Sequence, residues 1–345
     1  MQSAALVSVV VPVYRVEQYV AATLRSVLAQ TYPNFEVWIV DDESPDGSIA
    51  ICRQFDDPRL HIIHQPNRGL AGARNAGIRR SQGDYIAFLD SDDIWLPQKL
   101  EKHVAHLEQR PQVGVSYCSS EFIDECGTPL GFYQTPALTN ISAGQVLCRN
   151  PVSNGSVPVI RRAVLEEIAF PDALHGSEEI CYFDESFRES EDVECWTRIA
   201  VQTEWQFEGI PDCLTQYRVN MGGLSANLTK KQESWERMLA KVKTYAPEFA
   251  ARYAPSSRAY HLRYLARRAV TLRDGSLALQ LSREAIASYP RMWVEEPLRT
   301  SVTLAAAAMQ AILPASFYRP LETLAMKLTQ SRGPVPLPSA STSEP

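Results

Sequence analysis

The run Asp90-Ser91-Asp92-Asp93 follows the uncharged segment Tyr85-Ile86-Ala87-Phe88-Leu89 without a break. Aromatic, β-branched and small residues in that order read as a strand buried on both faces. Unpaired carboxylates cannot follow it into the core. They belong at the sheet's carboxyl edge, where open α/β sheets bind ligands. Aspartates this close repel one another unless a cation joins them, and hard oxygen ligands favour Mg²⁺ or Mn²⁺. A divalent metal there would in turn hold a diphosphate. The same residues equally suit a solvated helix start, with Asp92 or Asp93 capping a helix over 97–109.

Two further stretches carry candidate chemistry. Val37-Trp38-Ile39-Val40 runs into Asp41-Asp42-Glu43-Ser44, again an apolar strand ending in acids. Asp42 there can accept hydrogen bonds from a base N–H or a ribose hydroxyl, or serve as an Asx-type cap for the helix after Pro45-Asp46-Gly47. In Asn67-Arg68-Gly69-Leu70-Ala71-Gly72-Ala73-Arg74-Asn75-Ala76-Gly77 the small residues let a helix approach closely, and its N-terminus favours an anion. Arg74 could add a fork-shaped contact to phosphate or carboxylate, or bridge two of the aspartates.

These groups must be positioned by alternating elements. Strands are expected at 6–13, 35–40, 59–63 and 84–89, with helices near 17–30, 46–54, 70–81 and 97–109. That is a doubly wound, largely parallel α/β sheet. Pro12-Val13-Tyr14-Arg15 stands after the first strand where a dinucleotide fold has GxGxxG, which argues against a dehydrogenase-type site.

At 345 residues the chain suits one large domain plus an appendage. A net charge of -6 argues against nucleic-acid binding. Seven cysteines without a CxxC pair suit a reducing compartment and give no thiolate metal site. The sequons at Asn140, Asn154 and Asn227 then read as chance. The N-terminus lacks a basic start and a full signal peptide, and no stretch reaches the roughly 18 apolar residues of a membrane span. The Ala-rich segment 301–313 reads as a core helix, and the Pro/Ser-rich tail 331–345 as disordered.

Together, Val-Ser-Val-Val-Val-Pro-Val-Tyr at 7–14, Gln30-Thr31-Tyr32-Pro33, Val40-Asp41-Asp42, the Asn67 to Asn75 stretch and Gly83 to Asp93 resemble the nucleotide-sugar-binding half of a family 2 glycosyltransferase, the GT-A fold. The resemblance implies a Rossmann-like, largely parallel sheet with helices on both faces, over residues 1–230. Residues 1–130 would bind the donor and 131–230 would carry the acceptor side and the base. It places donor contacts on Pro12, Tyr14, Glu17, Asp42, Arg74 and Asp90, and the metal, Mg²⁺ or Mn²⁺, on Asp90 and Asp92. Arg15 stands where the family often has Asn.

In Phe183-Asp184-Glu185-Ser186-Phe187-Arg188-Glu189-Ser190-Glu191-Asp192-Val193-Glu194-Cys195-Trp196, Ser190 is the expected N-cap of a helix with Glu191 and Asp192 in its first turn. Val193, Trp196, Ile199 and Ala200 then form its apolar face. Acids there can be simple capping charge. The stretch also resembles the family's ED motif, which makes Asp192 the general base with Glu191 beside it, and Asp184 and Glu185 structural. The resemblance implies single-displacement, inverting transfer from a nucleotide sugar, most simply a UDP-sugar, to a saccharide or glycolipid hydroxyl. Gln216 to Ser225 resembles a donor-closing Tyr-Arg-x-His loop with Asn220 in place of His, and Arg218 becomes a candidate diphosphate contact.

Beyond residue 231 helices take over to about 330. Tyr260 to Ala269 and Ser276 to Tyr289, joined at Asp274-Gly275, resemble one tetratricopeptide-style hairpin with Ala266, Ala278 and Ala285 at its small positions. One such unit must pack on neighbours. Phe317-Tyr318-Arg319 and Met326-Lys327-Leu328 offer a peripheral membrane contact, which would put the protein in the cytoplasm at the membrane's inner face. Two other readings remain: a nucleotidyltransferase, which needs a Gly-rich triphosphate loop absent from Pro12–Glu17, and a non-catalytic sugar-nucleotide-binding scaffold.

Overall fold

The structure is a computed structural model and describes residues 4–219 and 228–312. Asn220, the rest of the loop to Ser225, the 317–319 and 326–328 clusters and the tail from 331 lie outside the described residues.

Strands β1 (Val7–Val13), β2 (Phe35–Asp41), β3 (Leu60–His64) and β4 (Tyr85–Phe88) alternate with helices α1 (Val20–Leu28), α2 (Ser48–Cys52) and α3 (Gly69–Arg80). All pairings among these four strands are parallel. Then come β5 (Ile94–Trp95), α4 (Lys99–Gln109), β6 (Val113–Ile123), β7 (Pro129–Gln134), α5 (Ala143–Arg149), β8 (Val159–Arg161) and α6 (Arg162–Glu167). A small hairpin of β9 (Phe170–Asp172) and β10 (Glu179–Cys181) precedes α7 (Glu191–Gln202) and β11 (Gln206–Arg218). The main sheet has the order β3-β2-β1-β4-β8-β6-β11-β5, with β7 on β6. β8 is the antiparallel insertion between β4 and β6.

Period-two alternation divides β1 between two cores. Val7, Val9, Val11 and Val13 join Val20, Leu24 and Leu100 on one face. Val10 joins Ala71, Ala73, Ile78 and Trp196 on the other. Helices therefore cover both faces, as the uncharged, fully buried β1 and β4 require. The small residues of α3 permit its close approach: a Cβ on Gly77 would lie 2.3 Å from Val10 Cγ1.

Five helices complete the described chain: α8 (Leu228–Tyr245), α9 (Pro247–Thr271), α10 (Gly275–Ser288), α11 (Met292–Glu295) and α12 (Pro297–Ile312). α9 and α10 pack on one another, with Ala266, Ala278 and Ala285 buried in one cluster. α9 begins well before Tyr260, running from Pro247. α12 departs from the core-helix expectation: Thr300, Thr303 and Ala307 are buried, while Leu298 and Ile312 are exposed. An Ala-rich helix offers small side chains that pack closely on one neighbour but cannot fill a core on every side.

Candidate active site

The ladder between β1 and β4 ends at Val10 and Phe88, while β1 stays paired with β2 to Val13 and Asp41. Chain order also reverses there, since β2 and β3 run to one side of β1 and β4 lies on the other. Such a switch point leaves a crevice at the carboxyl edge. Pro12 borders it. Val10 gives its carbonyl to Leu89 N–H and Val13 gives its own to Asp42 N–H, so the N–H that proline lacks would point where β4 has ended. Tyr14 follows, 41 % exposed, with the Arg15 guanidinium 5.3 Å from its ring centre and Arg15 in the left-handed region at φ 56°.

Glu17 ties this loop to the next, its Oε2 accepting Gly47 N–H at 2.9 Å. The start of α2 belongs to Asp46, not Asp42. Burial pushes the Asp46 carboxyl up, but the hydroxyls of Ser48 and Ser44 and the N–H groups of Glu17 and Ser48 bring it to about 2. Asp42 instead receives the Arg68 and Gly69 N–H groups, each at 2.9 Å, and Gln65 Nε2 at 2.7 Å. Its carboxylate therefore caps α3, one crossover further along than the cap weighed from sequence.

The acids after β4 divide into distinct environments. Asp93 is fully buried, its Oδ2 accepting the Ser156 hydroxyl at 2.5 Å and its Oδ1 the Arg218 N–H at 2.8 Å. Burial, then Asp92 and Asp90, push its carboxyl well up. It does not cap α4, which starts at Lys99 without a side-chain cap, and neither does Asp92. A two-residue strand, β5, intervenes and pairs with β11. Asp92 is half-buried and gives its backbone carbonyl to Arg218 Nε. Asp90 takes the Arg74 guanidinium at 2.9 Å on Oδ1, and its N–H donates to Ser156 Oγ.

Arg74 is 1 % exposed and its Nη atoms are closed on two carboxylates, Asp90 and, at 3.0 Å, Glu191. The fork that sequence offered to a phosphate thus reaches one aspartate and one glutamate. Burial pushes the guanidinium down, yet Asp90, Glu191 and Asp192 hold it above its ordinary value. Arg218 is similarly engaged: Nε reaches Asp92 carbonyl, and Nη1 reaches the carbonyls of Asp124 and Glu125.

Glu191 and Asp192 open α7 as expected, but Ser190 does not cap it with its side chain. At φ 66° Ser190 adopts a left-handed turn, which costs a non-glycine residue energy and marks a site where the surroundings dictate the backbone. Glu191 is 5 % exposed; burial and then Asp192 push it up to about 7, against the pull of Arg74. Asp192 is half-buried, and its carboxyl is raised by burial against the pull of Arg74. Behind them Val193, Trp196 and Ile199 are core. Asp184 pairs with Lys241 and accepts Ser186 N–H, while Glu185 accepts Asn75 Nδ2 at 2.9 Å. Asn75 also clamps the Tyr182 and Phe183 backbone.

Sequence reasoning missed Gly155 and Ser156. They lay inside a sequon set aside as chance. A Cβ on Gly155 would fall 2.1 Å from Arg74 Nη2 and 2.9 Å from Asp90 Oδ2, so only glycine lets the 150–157 loop close over that pair. Among the described residues no cluster of three or more His, Cys, Asp or Glu groups is arranged to hold a metal unaided.

The sequence model of glycosyl transferase family 2 matches residues 8–168. The chain is 32 % identical over 236 residues to TuaG of Bacillus subtilis, a glycosyltransferase named for teichuronic acid biosynthesis, covering 67 % of this chain and 86 % of that one. It is 32 % identical over 228 residues to WfaP of Escherichia coli, named UDP-Glc:alpha-D-GlcNAc-diphosphoundecaprenol beta-1,3-glucosyltransferase, covering 66 % and 82 %. S. aureus TarS 1–349 in complex with UDP-GlcNAc is similar in fold, with a TM-score of 0.59 at 17 % identity, covering 93 % of this chain and 91 % of that one.

Proposed function

The chain belongs to glycosyl transferase family 2, and from that premise we propose an inverting transferase that moves a sugar from a nucleotide sugar, a UDP-sugar, to a hydroxyl of a saccharide or glycoconjugate. One observation carries the reading: Arg74 draws Asp90, at the end of β4, and Glu191, at the start of α7, to a single guanidinium. Acids far apart in the chain thereby line one crevice. The donors named for WfaP and TarS, UDP-Glc and UDP-GlcNAc, support the choice of nucleotide.

The donor would lie between Tyr14 and the Asp90–Asp92 loop, its base over the α3 start that Asp42 braces. Asp90 and Asp92 would hold a divalent ion. The donor set fits: Asp93 is excluded by its two hydrogen bonds, Asp90 Oδ1 is taken by Arg74, and Asp90 Oδ2 lies beneath the bare Gly155. Mg²⁺ or Mn²⁺ bound through one or two carboxylates plus substrate phosphates needs no larger protein cluster, and it would neutralise charge on the departing diphosphate. Asp192 would take the acceptor's proton. Its raised carboxyl moves toward the working pH, where a general base is most effective. Glu191, bound to Arg74, would hold that base in place. Attack from the face opposite the leaving group inverts the anomeric centre.

A screen of nucleotide sugars by thermal shift with Mn²⁺ identifies the donor, because a ligand at 100 times its Kd raises stability by about 2.7 kcal/mol. Asp92→Asn should weaken UDP-sugar binding and remove its Mn²⁺ dependence in calorimetry. Unchanged Mn²⁺-dependent affinity would take Asp92 out of the site.

A further inference from the structure

Charge is divided unevenly along the chain. Residues 4–219 hold 17 Lys and Arg against 31 Asp and Glu, whereas residues 228–312 hold 14 against 7. Much of that excess converges on one place. Arg149 at the end of α5, Arg263 on α9 and Arg299 on α12 all reach Glu296, Arg149 at 3.0 Å and Arg299 at 3.9 Å. Arg263 is 7 % exposed and also donates to Thr300 Oγ1 at 3.0 Å. Arg267, one turn further along α9, is exposed, and no acid pairs with it among the described residues. The other acid nearby, Glu295, accepts the hydroxyls of Tyr260 and Tyr289. Four guanidiniums therefore share two carboxylates.

The excess is felt. Arg267 is exposed by surface area yet crowded by surrounding protein, so its surroundings and then Arg263 and Arg299 push its guanidinium down. Like charges held this close weaken the fold unless an anion joins them. Planar guanidinium forks match phosphate oxygens in geometry.

The cluster also adjoins the loop that closes over the Arg74–Asp90 pair: Arg149, whose guanidinium lies over the Tyr260 ring, ends α5 and leads directly into residues 150–157. Tyr260, Arg263, Tyr264 and Arg267 follow helical spacing along one side of α9. The 150–157 loop lies against Asp90, in the acidic run Asp90-Ser91-Asp92-Asp93. An acceptor that carries phosphate is repelled by those acids and needs cations placed outside them.

Building on the transferase reading, we propose that Arg263, Arg267 and Arg299 bind a phosphate group of the acceptor, a phosphodiester or diphosphate, while its hydroxyl reaches Asp192. The test uses the double variant Arg267→Gln/Arg299→Gln, because both side chains are exposed and outside the catalytic machinery. Calorimetry of the full chain with inorganic pyrophosphate in metal-free buffer should show affinity falling on the order of tenfold, about 1.4 kcal/mol, with an unchanged melting temperature. Arg267→Lys/Arg299→Lys should restore part of it. Flotation with phosphatidylcholine vesicles, with and without phosphatidylglycerol, separates the sources. Loss of binding to the anionic vesicles alone assigns the phosphate to a lipid headgroup and overturns the acceptor assignment. Loss of pyrophosphate binding supports it. Equal pyrophosphate affinity in wild type and double variant overturns the site. Hydrolysis of the UDP-sugar donor should be the same in both proteins, so its absence from both would instead count against the transferase reading.

Discussion

Asp192 and Glu191 are neighbours in one helical turn yet stand in different surroundings. Glu191 is buried against Arg74, whereas Asp192 is only half-buried. Asp192→Asn should leave donor affinity near wild type and slow transfer by roughly 10²–10⁴, the usual contribution of a general base. Glu191→Gln should be milder. The melting temperature read alongside turnover separates this from unfolding, since the helix-dipole contribution lost is only about 0.3–1 kcal/mol. Full turnover in Asp192→Asn with a natural acceptor would move the base elsewhere. Glu191 also makes stability depend on pH. Its folded value of about 7 lies above the ordinary 4.5, so its contribution is fully present below pH 4.5 and is lost as pH rises through 7. A shift of that size corresponds to on the order of 3 kcal/mol. Chemical denaturation across that range should show the decline in wild type and a flatter curve in Glu191→Gln.

The elements that hold these residues differ in how far sequence reveals them. β1 and β4 were legible because each is an uncharged run, and β2 and β3 because a β-branched or aromatic core, Val37 to Val40 and Ile62-Ile63, is bounded by polar residues. The acids at the ends of β2 and β4 were legible because charge cannot continue into a buried strand. What sequence could not give was the partner of each acid. Arg74 meets Glu191 across 117 positions, and Asp42 caps α3 rather than α2, because such pairings depend on how the crossovers pack. The 150–157 loop was the least legible, having neither periodicity nor charge. It supplies a prediction of its own: Gly155→Ala forces a Cβ onto Arg74 Nη2 and should cost about 1–3 kcal/mol by overpacking. In the proposed mechanism, Arg74 displaced from Asp90 would no longer hold the Asp90 and Glu191 sides of the crevice together. Turnover should therefore fall further than the melting temperature alone accounts for. Wild-type turnover in Gly155→Ala would show that this loop does not set the pair.

Across the whole molecule, the helices after residue 228 pack against the candidate site. Sequence required these helices to pack on neighbours, and one hydrophobic cluster joins both parts: Leu147, Phe187 and Val193 with Trp235, Met238, Leu239 and Val242. Val193 directly follows Asp192, so α8 packs against the turn that carries the proposed base. Lys241 adds an ion pair to Asp184 just upstream. Trp235 sits at the centre of this contact, 8 % exposed, stacked on His261 at 4.1 Å and donating Nε1–H to Ser257. Trp235→Ala should cost about 3–5 kcal/mol through the cavity it leaves. If α8 only covers apolar surface, donor affinity and transfer per folded molecule stay at wild type below the new melting point. If α8 also fixes the first turn of α7, transfer falls while UDP-sugar affinity holds, because the donor side of the crevice rests on β1, β4 and α3. Packing of Val193 beneath Asp192 leads us to expect the second outcome, and turnover measured well below the melting transition decides between them.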